Sequence, residues 1–213
     1  MIFELLNNLI TPTEILVLLA ALVIAITVHE ASHAALAWYL GDPTAKLQGR
    51  LTLNPLAHLD PLGTLMILFV HFGWGKPVPF DPFNLKNPKR DGALISLAGP
   101  AANFLTALIF TIPIWVGVLA KNPEIFEIGK LLIPIIFLNL TLGIFNLIPV
   151  HPLDGFKVLG GLLPKNWYYD WQQMERYGIL ILIFLLIPFG GFSIVGSILR
   201  PILNSILKLI LPS

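Results

Sequence analysis

Apolar residues fill four stretches of the chain, at about 14–40, 93–120, 128–149 and 177–199, each long enough to cross a bilayer. Polar and charged positions collect between them, chiefly in 41–92 and 150–177. A shorter apolar run, 62–72, ends at Gly73-Trp74-Gly75-Lys76-Pro77 and is too short for a full crossing. It reads as a re-entrant or interfacial segment, with extended strands expected in 76–83. The tail, 200–213, reads as a short amphipathic or partly buried helix. No internal repeat or low-complexity tract interrupts this pattern. The expected architecture is an all-α membrane protein, a polytopic helical bundle of about four spans plus a re-entrant or short-strand segment. It forms a single integral-membrane domain over 1–213, with its working core in about 14–160 and additional C-terminal helices in 177–211.

Composition supports the membrane assignment. Hydrophobic residues make up 56% of the 213 positions and charged residues 12%, about half the charged share of a soluble domain. Mean hydropathy is +0.82. A net charge of +1 with no Lys/Arg-rich run gives nucleic acid nothing to bind. The absence of cysteine excludes disulfides, thiolate metal ligands and a cysteine nucleophile. The first residues carry no basic run or small-residue cleavage site, so the N-terminus reads as retained. Lys46, Arg50, Lys76, Lys86, Lys89 and Arg90 lie in one polar segment, and Lys157, Lys165 and Arg176 in another. Four crossings put both segments on one side, which the positive-inside bias makes the cytosol. The chain is therefore expected in the cytoplasmic membrane, with both termini outward and its chemistry toward the cytosolic side. Trp38, Trp74, Trp115, Trp167 and Trp171 lie mostly near span ends, as an interfacial aromatic belt requires.

The chemistry is concentrated in His29-Glu30-Ala31-Ser32-His33, inside the first apolar stretch. Histidines four apart share one helix face and can hold one metal ion together. A glutamate beside the first can reach water on that metal, which is the zinc metalloprotease signature. Ionisable residues at membrane depth are costly and mark function. A catalytic zinc takes three protein ligands and keeps one open position. The strongest third candidate is Asp154, just beyond the third apolar stretch, where Pro149, Pro152 and Gly155 let the backbone turn inward.

The chain resembles the site-2 protease family of intramembrane zinc metalloproteases. The matching pieces are the His29–His33 motif, Gly49-Arg-Leu-Thr-Leu-Asn-Pro-Leu-Ala-His58, Gly75-Lys-Pro-Val-Pro79, Gly99-Pro-Ala-Ala-Asn103, and Asn146 through Asp154-Gly155. They occur in order over about 25–160, with no PDZ-like insert between them and no CBS-like domain after the last span, as in compact members. The resemblance implies a three-helix catalytic core carrying His29/His33, Asn103 and Asp154, and one zinc per chain on His29, His33 and Asp154. It implies Glu30 as the general base that later protonates the leaving amine, and Asn146 as a donor to the tetrahedral oxyanion. The expected partner is the transmembrane segment of another membrane protein, cut within the lipid bilayer after local unwinding. An extended edge near 76–83 is a candidate to hold the unwound strand. No oligomeric state is assigned.

Other polar residues have plainer readings. Asp154 could instead cap a helix, and Asn146 could satisfy backbone groups freed by Pro149. His151 reads as a surface or supporting histidine rather than a transient ligand or substrate contact. His58 reads as loop packing and His71 as interfacial. Asn103 and Asn139 read as interhelical hydrogen bonders, and Gly99 as a site of close helix packing. Ser32 has no base to make it a nucleophile. Two rival functions remain open: a membrane metal transporter or channel, and an inactive zinc-containing membrane scaffold.

Overall fold

A computed structural model describes residues 12–63, 66, 74–187 and 193–212. The two long helices are α1 (Pro12–Tyr39) and α3 (Pro88–Leu119), of 28 and 32 residues. At ~1.5 Å per residue each exceeds the ~30 Å hydrocarbon thickness. Between them, among the described residues, the polar loop carries one short α-turn, α2 (Thr44–Leu47), and 3-10 turns at Pro55–Ala57 and Pro82–Asn84. Beyond α3, α4 (Pro123–Lys130) and α5 (Ile133–Asn146) meet at a 41° bend. Among the described residues four shorter α-helices follow: α6 (Asp154–Leu162), α7 (Lys165–Gln173), α8 (Gly178–Leu186) and α9 (Ile194–Ile210).

Helices α1, α3 and α5 pack on one another, and α6 docks on α3. Small residues make the close approaches: Ala21 and Ala25 of α1, Gly99 and Ala107 of α3, and Gly143 of α5 are buried. Larger side chains fill the remaining core, with Ile114, Ile136, Leu140 and Ile144 meeting Leu203 of α9. Leu105, Leu108, Ile109 and Ile112 of α3 face outward, as they do where the solvent is lipid. Three helices thus pack together, but the third residue expected on them, Asp154, lies on α6, a separate short helix that docks on α3.

Two expectations change. By length and apolarity the described residues hold two crossing helices, or three if α4 and α5 count as one bent span. The stretch 177–199 is not one helix: α8 ends at Leu186, and Ile187 is extended (ψ 127°). Pro188 follows, and a residue before proline is driven out of the helical region. The expected strands in 76–83 are also not regular strands. Their neighbourhood has one isolated antiparallel bridge, Leu59 to Gly75, because Pro77, Pro79 and Pro82 remove ladder donors. The re-entrant run 62–72 lies mostly outside the described residues, as does His71. The tail expectation corresponds to α9, which starts earlier, at Ile194.

Candidate active site

The centre is built from α1, α3 and the start of α6. His29 and His33 lie ten and six residues before the end of α1, so about 15 and 9 Å inside it at ~1.5 Å per residue. Both are buried. Asp154 opens α6 after the turn at 147–153, and its Oδ2 lies 3.0 Å from His29 Nε2 and 3.3 Å from His33 Nε2. Gly155 makes that turn possible, since a Cβ there would strike the carbonyl oxygens of Leu147 and Ile148.

The other ring nitrogens settle which atoms carry protons. His33 Nδ1 lies 2.6 Å from the Ile95 carbonyl oxygen, which can only accept, so Nδ1 bears the hydrogen. His29 Nδ1 lies 2.6 Å from Asn103 Oδ1. Asn103 Nδ2 donates both hydrogens, to Ala25 O at 3.0 Å and to Asn139 Oδ1 at 2.9 Å. Asn139 Nδ2 in turn donates to Ile135 O at 2.9 Å. This chain of amides orients Asn103, so Oδ1 must accept and His29 Nδ1 must donate. With Nδ1 donating in both rings, Nε2 is the nitrogen of each that faces the same carboxylate oxygen and, in the neutral ring, offers a lone pair to a metal.

Two lone pairs and a carboxylate oxygen facing one another repel unless a cation lies among them. Asp154 Oδ2 is buried and accepts no hydrogen bond, a costly state for a carboxylate alone. The three ligand atoms lie within 4.8 Å of one another. Tetrahedral zinc with bonds of about 2.0–2.1 Å separates its ligands by roughly 3.3 Å, close to the two His–Asp distances. Space is kept by Gly99 of α3: a Cβ there would sit 2.5 Å from His33 Nε2 and 2.7 Å from His29 Cε1. The residues present therefore fit one zinc ion. Gly99 does more than allow helices to approach; it leaves room for the histidine pair.

The remaining expected residues fall into place unevenly. Glu30 is half-buried and does not join the three ligands; its Oε2 accepts the Val78 N–H at 3.0 Å. Asn146 is the last residue of α5, and its amide donates back to Leu142 O at 3.1 Å, leaving one N–H uncommitted by that bond. His151 Nδ1 lies 3.5 Å from Glu175 Oε1, and His58 is fully buried with Nε2 donating to Thr52 O at 2.8 Å. Ser32 Oγ donates to Val28 O at 2.7 Å and is no nucleophile. The sequence reading missed three partners: Ile95 O, the Val78 N–H, and Asn103 as the residue holding His29. Backbone groups leave no residue-type signal, but the polar Asn103 in an apolar helix did.

The chain is 39% identical to "Putative zinc metalloprotease YwhC" of Bacillus subtilis over 201 residues, 90% of either chain. It is 31% identical to "Putative zinc metalloprotease Rip2" of Mycolicibacterium smegmatis over 180 residues, 81% of this chain and 67% of that one. It also matches "Zinc metalloprotease MJ0392" of Methanocaldococcus jannaschii, 34% identical over 88 residues, 39% of this chain and 23% of the other. No family model matches the chain, and no solved structure is a significant match. Near-complete coverage at 39% identity, together with a zinc-fitting centre in an apolar helix bundle, places this chain in the site-2 protease-like family of zinc metalloproteases.

Proposed function

We propose that this membrane metalloprotease hydrolyses peptide bonds within or near transmembrane segments of other membrane proteins. The observation that carries the reading is the convergence of two imidazole lone pairs on an orphaned aspartate oxygen, inside an apolar helix and beside Glu30. His29, His33 and Asp154 would hold one zinc. When bound, zinc supplies Lewis-acid activation of water and of the scissile carbonyl at neutral pH. Glu30 takes a proton from the attacking water as the C–O bond forms, then passes it to the nitrogen as the C–N bond breaks, leaving a carboxylate and an amine. The uncommitted amide N–H of Asn146 suits an oxyanion at the carbonyl oxygen. Asn103 keeps His29 in the ligating tautomer, and Gly99 keeps helix α3 out of its way.

A helical substrate hides each carbonyl in its own hydrogen-bond ladder, so it must unwind before attack. Residues 76–83 are less open as a docking edge than their extended character suggested. Lys76 N–H donates to His58 O, Val78 N–H to Glu30 and Asp81 N–H to Asp42, and Pro77 and Pro79 have none. The proposed topology has four crossings, with α8 and α9 providing the fourth. Segments 41–92 and 150–177 then face the cytosol, and the active site opens toward it.

The test is cleavage of synthetic transmembrane peptides with and without a central Gly-Pro step, read by mass spectrometry. The purified protein should cut the Gly-Pro peptide faster than an all-leucine one. Glu30→Gln should retain zinc and cut neither. Cleavage by Glu30→Gln at the wild-type rate, or zinc flux across liposomes without any cleavage, would contradict the reading.

A further inference from the structure

Among the described residues three charged side chains are buried outside the metal centre: Asp91, 5% exposed, accepts the Asn87 N–H at the start of its own helix, while two lie in the loop after α1, Asp42, 0% exposed, and Arg50, 4% exposed. Neither charge tolerates burial without partners. Both find partners on the same short segment. Arg50 Nη2 donates to the Lys76 carbonyl and, at 3.3 Å, to the Pro77 carbonyl. Among the described residues no carboxylate lies within ion-pairing distance of Arg50; its hydrogen bonds go to backbone carbonyls, and the Glu30 carboxylate is near enough to feel its charge. Asp42 Oδ2 accepts the Asp81 N–H at 2.7 Å. Its Oδ1 accepts from Asn84 Nδ2 at 2.8 Å, from Thr44 N–H at 3.0 Å and from the Thr44 hydroxyl at 2.5 Å.

Between these anchors lies the Val78 N–H, which donates to Glu30. Lys76 N–H is tied to His58 O at 2.8 Å, and Arg50 holds the two carbonyls just before the Val78 N–H. Asp42 holds the amide three residues later. Pro77 and Pro79 flank Val78, fix their own φ and restrict the residues before them, so displacement at either anchor is passed to Val78 rather than absorbed. With Oε2 committed to Val78, Glu30 keeps Oε1 for proton transfer.

We propose that Arg50 and Asp42 are positioning residues for Glu30: they clamp residues 76–81 so that the Val78 N–H aims the carboxylate. This rests on Glu30 being the proton carrier. Val78→Pro removes the donor, Val78→Ala keeps it, and Arg50→Ala and Asp42→Asn loosen the clamp. Bound zinc, kcat and KM are measured for each on the Gly-Pro transmembrane peptide. Hydrogen exchange of the Val78 amide is followed in the zinc-loaded proteins, which needs no substrate.

Val78→Pro and Arg50→Ala should each keep one zinc and lose kcat about 10- to 100-fold, with KM within about twofold. Val78→Ala should match wild type. The double variant should be no worse than Val78→Pro, because both act through one contact. Guanidinium should partly restore Arg50→Ala and leave Val78→Pro unchanged. Val78 exchange should quicken at least about tenfold in Arg50→Ala and Glu30→Ala. Unchanged kcat in zinc-loaded Val78→Pro, a KM effect alone, or unchanged exchange in Arg50→Ala would overturn the inference while leaving an inactive Glu30→Gln to support the reading beneath it. Normal cleavage by Glu30→Gln would remove that reading instead.

Discussion

Gly99→Ala adds one methyl group to a helix and tests the packing of the metal centre. The new Cβ would lie 2.5 Å from His33 Nε2, 2.6 Å from His33 Cε1 and 2.7 Å from His29 Cε1. Ordinary contact begins near 3.4 Å, so α3 and the rings must part by about 0.9 Å. The rings have little freedom to yield. His33 is tied to Ile95 O, one turn from Gly99 on the same helix, and His29 to Asn103, one turn beyond it. Metal–ligand distances tolerate only about 0.2 Å, so a shift of this size takes at least one histidine out of reach. Zinc affinity should fall at least 10- to 100-fold, the range seen when the groups supporting a ligand are lost. Alanine favours helix over glycine by about 1 kcal/mol, so the helix itself should not weaken. Zinc retention against a graded chelator, with circular dichroism on the same samples, measures both effects. Wild-type zinc affinity in a folded Gly99→Ala protein would refute the steric argument.

Asn103→Leu should lower zinc affinity about 10- to 100-fold by freeing the His29 tautomer, and Asn139→Leu should lower it less, because it acts only through Asn103. Chelator titration distinguishes the two, and equal effects would break the proposed order of the chain. Gly155→Ala should cost zinc as Asp154→Ala does, since its Cβ meets backbone oxygens of the preceding turn; metal analysis at wild-type levels would count against it. Burial pushes the Asp42 carboxyl up, but hydrogen bonds from Thr44, Asn84 and the Asp81 N–H outweigh it and hold the group below the ordinary carboxylate range. A depressed folded value means stability present above the unfolded value of about 3.9 and lost as pH falls through the folded one. Thermal unfolding should therefore show wild type losing stability below about pH 4, while Asp42→Asn starts lower by roughly 1–3 kcal/mol and falls less steeply.

The candidate ligand set could be read because its spacing and chemistry are local. His29 and His33 need only helical periodicity, and Asp154 stands out as a carboxylate beside Pro149, Pro152 and Gly155 at the end of an apolar run. The three-helix core came from the family resemblance, and apolar length gave only the candidate spans. What the pattern did not contain was geometry made by backbone: the Ile95 carbonyl under His33, the Val78 N–H on Glu30, and the two carbonyls that take up Arg50. Any residue type supplies such groups. The break within 177–199 was not legible because hydropathy sums over residues, whereas a helix stops short of a single proline, here at Leu186 with Ile187 extended ahead of Pro188. The strand expectation for 76–83 read extended prolines as pairing residues, although Pro77 and Pro79 bring no donor to a sheet.

The central claim is that three side chains hold the metal and a fourth, beside them, is left for chemistry. Zinc per chain, measured on wild type, Glu30→Gln and Asp154→Ala purified in mild detergent, tests it most directly and needs no substrate. The account predicts about one zinc in wild type and in Glu30→Gln, with marked loss in Asp154→Ala. No zinc in wild type, or full retention without the Asp154 carboxylate, would contradict it.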